Sequence, residues 1–363
     1  MTLRAPYLEL WPPLAAFTPA RRSATGPPFP FADPGYRLYA KGRHALWDGL
    51  RSVGLGGRDE EILVPAFNCG SEVEALVRAG LIPRFYEATE TLEPDERELR
   101  ELISPRTRAL LLIHYLGFPQ ESGRWRAWCD ERGLLLVEDC AHAWPIGGDR
   151  SPVGSVGDIA VYSLSKTLGL PEGGVLRSKH APPGTDPERP LGLVAALERY
   201  GQSIVTALGW IPPEHRRPFP EVRQVQIGST HQLAFGRARQ ASSATAFLLS
   251  RMDLAHVAQR RRTNYAELLD TFADRVPLPF RTLSIGACPL VFPIEVSNGP
   301  QVADRLRRQG VAARPWWSFL HPTLPVDRFP RALAWHRRFI VVPVHQGLRH
   351  RDVRRVRDAL LDS

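Results

Sequence analysis

From about residue 36 to 178 the chain alternates short apolar runs with amphipathic stretches. The runs Ile62–Phe67, Ala109–Tyr115, Leu134–Asp139 and Ile159–Ser163 are apolar over most of their length, as expected of strands covered on both faces rather than on one. Between them, Ser71-Glu72-Val73-Glu74 predicts a capping box ahead of a helix, and Gly80 stands where its C-terminal cap belongs. Residues 94–103 and 121–132 predict two further helices, and Gly42 opens another at Lys41-Gly42-Arg43-His44. This alternation predicts the α/β class: a mostly parallel sheet covered by helices.

Beyond residue 180 the pattern changes. Residues 180–235 are rich in Pro, Gly and Arg and predict an irregular excursion, long enough to suggest a functional segment. A helical pattern over 241–272 follows, then strand-like 289–296, a helix over 300–309, strand-like 338–344 and a terminal helix from 351. We therefore expect an N-terminal arm over 1–35, a large domain over 36–240, and a linking helix with a small C-terminal α/β domain over 241–363.

With 363 residues and 43% hydrophobic content, the chain can bury the cores of two domains. The net charge of +9 comes from Arg spread along the whole length, which suits an anionic small ligand and gives no reason to expect nucleic acid. The Arg-rich segment from 349 to 357 reads as a solvated helix face. Cys69, Cys129, Cys140 and Cys288 form no CxxC pair and no metal-like spacing, so neither a disulfide framework nor a metal site is expected. Residues 1–20 are interrupted by Glu9 and Pro12-Pro13, and no run approaches the roughly 20 apolar residues of a membrane span. We expect a cytoplasmic protein with no membrane partner.

Only three of the 47 basic residues are Lys: Lys41, Lys166 and Lys179. An Arg guanidinium stays protonated, whereas a Lys amine can be neutral and form a Schiff base, so Lys166 in an apolar-to-glycine passage is the candidate nucleophile. Lys179 lies in a polar loop and reads as an ordinary surface cation. In a parallel sheet, ligands bind beyond the carboxyl ends of the strands. One predicted strand ends in Glu138-Asp139-Cys140-Ala141-His142, the next delivers Ser163 and Lys166, and Gly42 starts a helix whose free amides suit an anion. A carboxylate, an amine and an anion cradle are the three things pyridoxal 5'-phosphate (PLP) requires.

The order of Gly42-Arg43-His44-Ala45-Leu46, Val64-Pro65-Ala66-Phe67, the segment Ile113 to Pro119, Glu138-Asp139-Cys140-Ala141-His142-Ala143, the passage Gly154 to Lys166 and Glu172-Gly173-Gly174 resembles the DegT/DnrJ/StrS-type aminotransferases. The resemblance covers roughly residues 36–178 and implies a fold-type I PLP-transferase, a homodimer acting on keto-sugars with an amino donor such as glutamate. It implies that Lys166 carries the cofactor, Asp139 faces the ring nitrogen and His142 lies near the ring. Ser163 with the Gly42 and Arg43 amides would then hold the phosphate, and Cys69 would occupy a ring-side position that is often aromatic. Ser163 precedes Lys166 by three positions where the family pattern has five, which would shift the phosphate contact to Ser165. The Asn-and-Arg motif of many members is replaced by Gly228-Ser229-Thr230-His231-Gln232.

Rival readings differ in testable ways. Asp139 would otherwise be a helix N-cap and His142 a core histidine. Trp316, Trp317 and Arg314 read either as a substrate wall or as core anchors, and His114 and Tyr115 as pocket residues. Ser163-Leu164-Ser165-Lys166 matches the S-x-x-K of acyl enzymes, yet no Lys is followed by Thr-Gly. A PLP enzyme with a non-sugar substrate and an inactive PLP-fold protein are the remaining alternatives, and the presence of Lys166 and Asp139 opposes the latter.

Overall fold

The computed structural model describes residues 7–14, 29–57, 59–144, 151–179, 188–190, 200–201, 226–227, 235–317 and 319–362. Most of the predicted excursion over 180–235, including the Gly228–Gln232 segment, lies outside the described residues.

Up to residue 178 the order is β1 (Tyr36–Tyr39), α1 (Gly42–Ser52), β2 (Glu61–Pro65), α2 (Ser71–Ala79), β3 (Ile82–Tyr86), α3 (Glu96–Leu102), β4 (Thr107–Ile113), α4 (Ser122–Asp130), β5 (Leu135–Cys140), β6 (Ile159–Ser163), α5 (Leu164–Thr167) and β7 (Gly174–Ser178). These strands form one seven-stranded sheet in the order β1-β7-β6-β5-β4-β2-β3. Strands β2 to β6 run parallel, whereas β7 is antiparallel to β6 and β1 antiparallel to β7. Strands β2 and β6 are buried at every position, as their apolar runs predict, and β7, which no apolar run announced, is buried throughout as well. With helices packed against it, this mostly parallel sheet has the fold-type I architecture.

The C-terminal part contributes α6 (Ser243–Leu249), α7 (Leu254–Phe272), β8 (Val291–Glu295), α8 (Gly299–Arg308), β9 (Arg314–Pro315), α9 (Pro330–Arg338), β10 (Phe339–Pro343) and α10 (His350–Leu361). Its three strands pair antiparallel in the order β9-β10-β8, and α7 packs on both α10 and β8. Among the described residues, no helix is long and apolar enough to cross a membrane.

Local chemistry explains where the elements depart from expectation. The helical pattern over 241–272 is two helices: the first ends at Leu249 with Ser250 as its cap, and Asp253 caps the next, accepting from the His256 amide at 2.9 Å. The capping box predicted at Ser71 does not form. The cap is Gly70 in the left-handed region, one residue earlier, so Ser71 already lies inside α2 and Glu74 turns to Arg78 at 2.7 Å and His321 at 3.1 Å. Gly80 does close α2 in the left-handed conformation.

The edge pairing of β1 with β7 seats the start of α1 directly on the sheet. A Cβ on Gly174, the first residue of β7, would lie 2.4 Å from the Lys41 carbonyl carbon and 2.6 Å from the Gly42 nitrogen. Backbone cannot yield to that overlap. Gly174→Ala is expected to lower stability in urea denaturation by about 1–3 kcal/mol. Gly123→Ala on α4, where an added Cβ meets nothing within 4 Å, should leave it unchanged or raise it.

Candidate active site

A cavity of about 310 Å³ lies beyond the carboxyl ends of β5 and β6. Gly42, Arg43, Cys69, Asp139, His142, Ser163 and Lys166 all line it, so the sequence-predicted site residues share one cleft. Four elements converge there: the start of α1, the start of α2 and the ends of β5 and β6.

On β5 successive side chains point to opposite faces. Asp139 faces the cavity with Oδ1 accepting from the Ala141 amide at 2.8 Å. Burial, reinforced by the Glu72 carboxylate, pushes the Asp139 carboxyl up to about 6, against the opposing pull of the Ala141 amide and of Lys166. Its neighbour Glu138 is fully buried and accepts from Ser122 Oγ (2.6 Å) and the Val156 and Gly157 amides (3.1 and 2.6 Å), and it pairs with His114 Nε2 at 2.9 Å. Burial alone would raise Glu138; His114 and these donors outweigh it and hold the carboxyl near 2. Since His114 Nδ1 accepts from the Gln120 amide, Nε2 carries the proton given to Glu138.

Strand β6 runs straight into α5, so Lys166 sits on a single helical turn. The Leu164 amide donates to the Gly173 carbonyl at 2.9 Å and the Leu168 amide to Leu164 at 2.8 Å, which fixes that turn. This is how the shortened Ser163-to-Lys166 spacing is accommodated. Ser163 and Ser165 both line the cavity, with their hydroxyls 3.2 Å apart. Opposite them, Lys41 and Arg43 flank Gly42 at the start of α1, where no side chain caps the free amides. Burial lowers the Arg43 guanidinium despite its anionic neighbours.

His142 is buried against the Trp316 and Trp317 rings, both with centroids at 5.2 Å, and its Nδ1 has no hydrogen-bond partner among the described residues. Burial, then the charges of Lys166 and Arg314, hold it well below the usual imidazole range, so the ring is neutral. Cys69 donates its amide to Glu72 Oε1 at 2.8 Å and its thiol to Oε2 at 2.7 Å. Burial and the Glu72 carboxylate push that thiol up to about 12.

Several residues of the cleft escaped sequence reading. Glu72 was read only as part of the capping box at Ser71, whereas Trp317, read either as a substrate wall or as a core anchor, does line the cavity. Lys41, Ser71 and Glu172 also face the cavity. Glu172 is tied to the start of α6 through the Ser242 amide at 2.7 Å and Thr245 Oγ1 at 3.1 Å. Other candidates do not reach the cavity. His114 is enclosed with Glu138, and Tyr115 donates its hydroxyl to the Phe67 carbonyl at 2.9 Å. Trp316 is a core anchor, packed between Trp11 and His142. No cluster of ligating side chains suited to a metal occurs among the described residues.

Residues 39–181 match the DegT/DnrJ/EryC1/StrS aminotransferase family. Over 327 residues, 87% of this chain and 81% of the relative, the sequence is 26% identical to the dTDP-4-dehydro-2,3,6-trideoxy-D-glucose 4-aminotransferase of Saccharopolyspora spinosa. GDP-perosamine synthase of Vibrio cholerae is 32% identical over 142 residues, 38% of each chain. The fold is similar to the crystal structure of the aminotransferase TlmJ from Streptoalloteichus hindustanus, at TM-score 0.62 and 23% identity over 90% of this chain and 86% of that one. It is also similar to NtdA from Bacillus subtilis with bound cofactor PMP, at TM-score 0.64 and 16% identity over 90% of this chain and 72% of that one.

The Cys69–Glu72 contact makes the cavity thiol inert. Iodoacetamide at pH 8 should leave native protein essentially unlabelled, because Cys129, Cys140 and Cys288 are buried and the Cys69 thiolate is scarce. Glu72→Gln removes the anion that raises the thiol, so labelling at Cys69, read by peptide mass spectrometry, should accelerate by about tenfold for each unit its pKa falls.

Proposed function

We propose that the chain is a member of the DegT/DnrJ/EryC1/StrS aminotransferase family, whose model its residues 39–181 match, and that it uses PLP to move an amino group from glutamate to a nucleotide-linked keto-sugar, in polysaccharide or secondary-metabolite biosynthesis. The observation that carries this reading is the convergence of Lys166, Asp139, His142, Ser163, Cys69, Gly42 and Arg43 on one cavity. The donor set fits the cofactor. The start of α1 offers amides and the Arg43 guanidinium to a phosphate, with the Ser163 and Ser165 hydroxyls facing the same space. His142 and Trp317 supply flat walls for a ring, and His142 Nδ1 is buried with its hydrogen-bonding capacity unspent.

When bound, PLP supplies an electron sink for the carbon that bears the transferred nitrogen. The chain's own groups do the rest. Asp139, as an anion, keeps a proton on the ring nitrogen. Lys166 Nζ would hold the cofactor covalently, and as a free amine it would be placed to carry a proton between the two carbons. The neutral His142 can lie against the ring without adding a charge that would oppose the ring proton. Lys41 and Arg43 also give the cleft an attraction for anionic substrates. The relatives named for sugar substrates support a sugar acceptor for this chain. We further place the enzyme in the cytoplasm as a homodimer, the symmetric pair being the commonest assembly of soluble proteins; light scattering that finds only an active monomer contradicts the dimer.

Purified protein should be yellow with PLP, and borohydride should bleach the band by fixing the cofactor to Lys166. Lys166→Arg keeps the charge but forms no Schiff base and should abolish band and turnover together. Protein that remains colourless in PLP refutes the reading.

Asp139 gives a signed pH dependence. Its carboxyl, raised to about 6, is protonated below that pH and ionised above it. Because the cofactor-bound state needs the anion, PLP affinity should strengthen as pH rises through about 6, by at most about tenfold per unit. Asp139→Asn should flatten this profile in equilibrium titrations and slow both half-reactions sharply.

A further inference from the structure

Behind the cleft lies a buried cation that the chemistry above leaves unused. Arg261 on α7 is fully buried, and burial lowers its guanidinium to about 10. No carboxylate hydrogen-bonds to it among the described residues. Instead Nη1 donates to the Pro289 and Leu290 carbonyls at 3.0 and 2.9 Å, Nε to Gln346 Oε1 at 2.9 Å and Nη2 to the Thr167 carbonyl at 2.8 Å. Gln346 Nε2 donates to the same Thr167 carbonyl at 3.1 Å. Thr167 is the residue after Lys166 and the last of the single turn that carries it.

We propose that Arg261, assisted by Gln346, is a positioning residue for Lys166. The proposal rests on the assignment of Lys166 as the cofactor-bearing amine. A turn of four residues has few internal bonds with which to hold its own place. Its terminal carbonyl receives two side-chain donors, one of them charged and stiff, whose other contacts lie at the entry to β8 and just after β10. The height of the Lys166 backbone in the cleft is thereby referenced to the small sheet, the same part of the chain that contributes Trp317 to the cavity. A misplacement of about 1 Å in a reacting group can cost about a hundredfold in rate. That sensitivity gives a reason to keep a desolvated guanidinium here, where an apolar residue would serve packing alone.

The test compares PLP-loaded wild type with Arg261→Lys, Arg261→Met and Gln346→Glu. Gln346→Glu retains an acceptor for Arg261 but turns the donor facing the Thr167 carbonyl into an acceptor. Far-UV circular dichroism and thermal melts report folding. The pH titration of the Lys-linked absorbance band and its rate of borohydride trapping report the placement of the amine, and kcat is compared with KM for the donor. We expect folded variants whose band titrates at a shifted pH, whose trapping rate changes at least threefold and whose kcat falls about ten- to a hundredfold with KM nearly unchanged. Arg261→Lys should not rescue, since one ammonium cannot reach the acceptors that a forked guanidinium spans. Folded variants with band titration, trapping and kcat within twofold of wild type would overturn the proposal, as would full rescue by Arg261→Lys. If both Arg261 variants fail to fold, Gln346→Glu decides by the same criteria. Failure of the underlying assignment is separate: wild type would then show no Lys-linked band at all.

Discussion

The parallel pairing of β5 with β6 is the constraint on which the cleft depends. In that register Asp139 lies opposite Val161 and Cys140 opposite Tyr162, so both strands end at the same level. Two neighbouring parallel strands must deliver their carboxyl ends to one edge of the sheet, and that edge is open because the crossover helices lie on the faces. The carboxylate of one strand and the amine just beyond the other are thus brought together by topology, before any side-chain contact is considered. The antiparallel β7 then carries Gly174 under the start of α1, and the close approach of Lys41 and Gly42 to that glycine presses the helix start against the same edge.

The cleft is lined by charges of both signs. Lys41, Arg43 and Lys166 line the same small cavity as Glu72, Asp139 and Glu172. Two of the anions are committed: Glu72 takes both donors of Cys69, and Glu172 takes the Ser242 amide and the Thr245 hydroxyl. Asp139 holds only the Ala141 amide, which leaves most of its accepting capacity for a ligand. The pressure that raises its pKa comes from burial and from Glu72, and a cation bound beside it relieves both.

What the sequence made legible follows from how local each signal is. Lys166, Asp139, His142 and Ser163 stand at or just after buried strands, and continuous apolar runs mark those strand ends to within about two residues. Gly42 and Arg43 open an amphipathic helix and were readable for the same reason. Glu72 was hidden inside the capping box read at Ser71–Glu74; with the cap on Gly70, Glu72 lies in the first turn of α2 and its carboxylate accepts from Cys69. Arg261, and the choice between wall and core for Trp316 and Trp317, depend on tertiary packing that no periodicity within either segment encodes; Trp317 lines the cavity and Trp316 does not. Strands β1 and β7 were missed because they are short and, at β7, begin in a glycine and end in Arg177-Ser178 rather than forming a continuous apolar run.

Glu138 and Asp139 show how strand geometry assigns chemistry. They are adjacent and of the same chemical type, yet one, fully buried, is held near 2 and the other, at the cavity, is raised to about 6. The difference is the face on which each emerges. On the Glu138 side, His114, Ser122 and two backbone amides converge, so the anion is satisfied within the protein and Asp139 is braced from behind. On the Asp139 side the sheet edge opens, one amide is present and a second carboxylate stands nearby, so the anion is left short of partners. A strand period of two residues is enough to make one carboxylate structural and leave its neighbour available to a ligand. A slip of one residue in β5 would exchange them, placing the satisfied group in the cleft and the unsatisfied one in the core. The four donors gathered on Glu138 therefore fix the register of β5, and with it the identity of the carboxylate that faces Lys166.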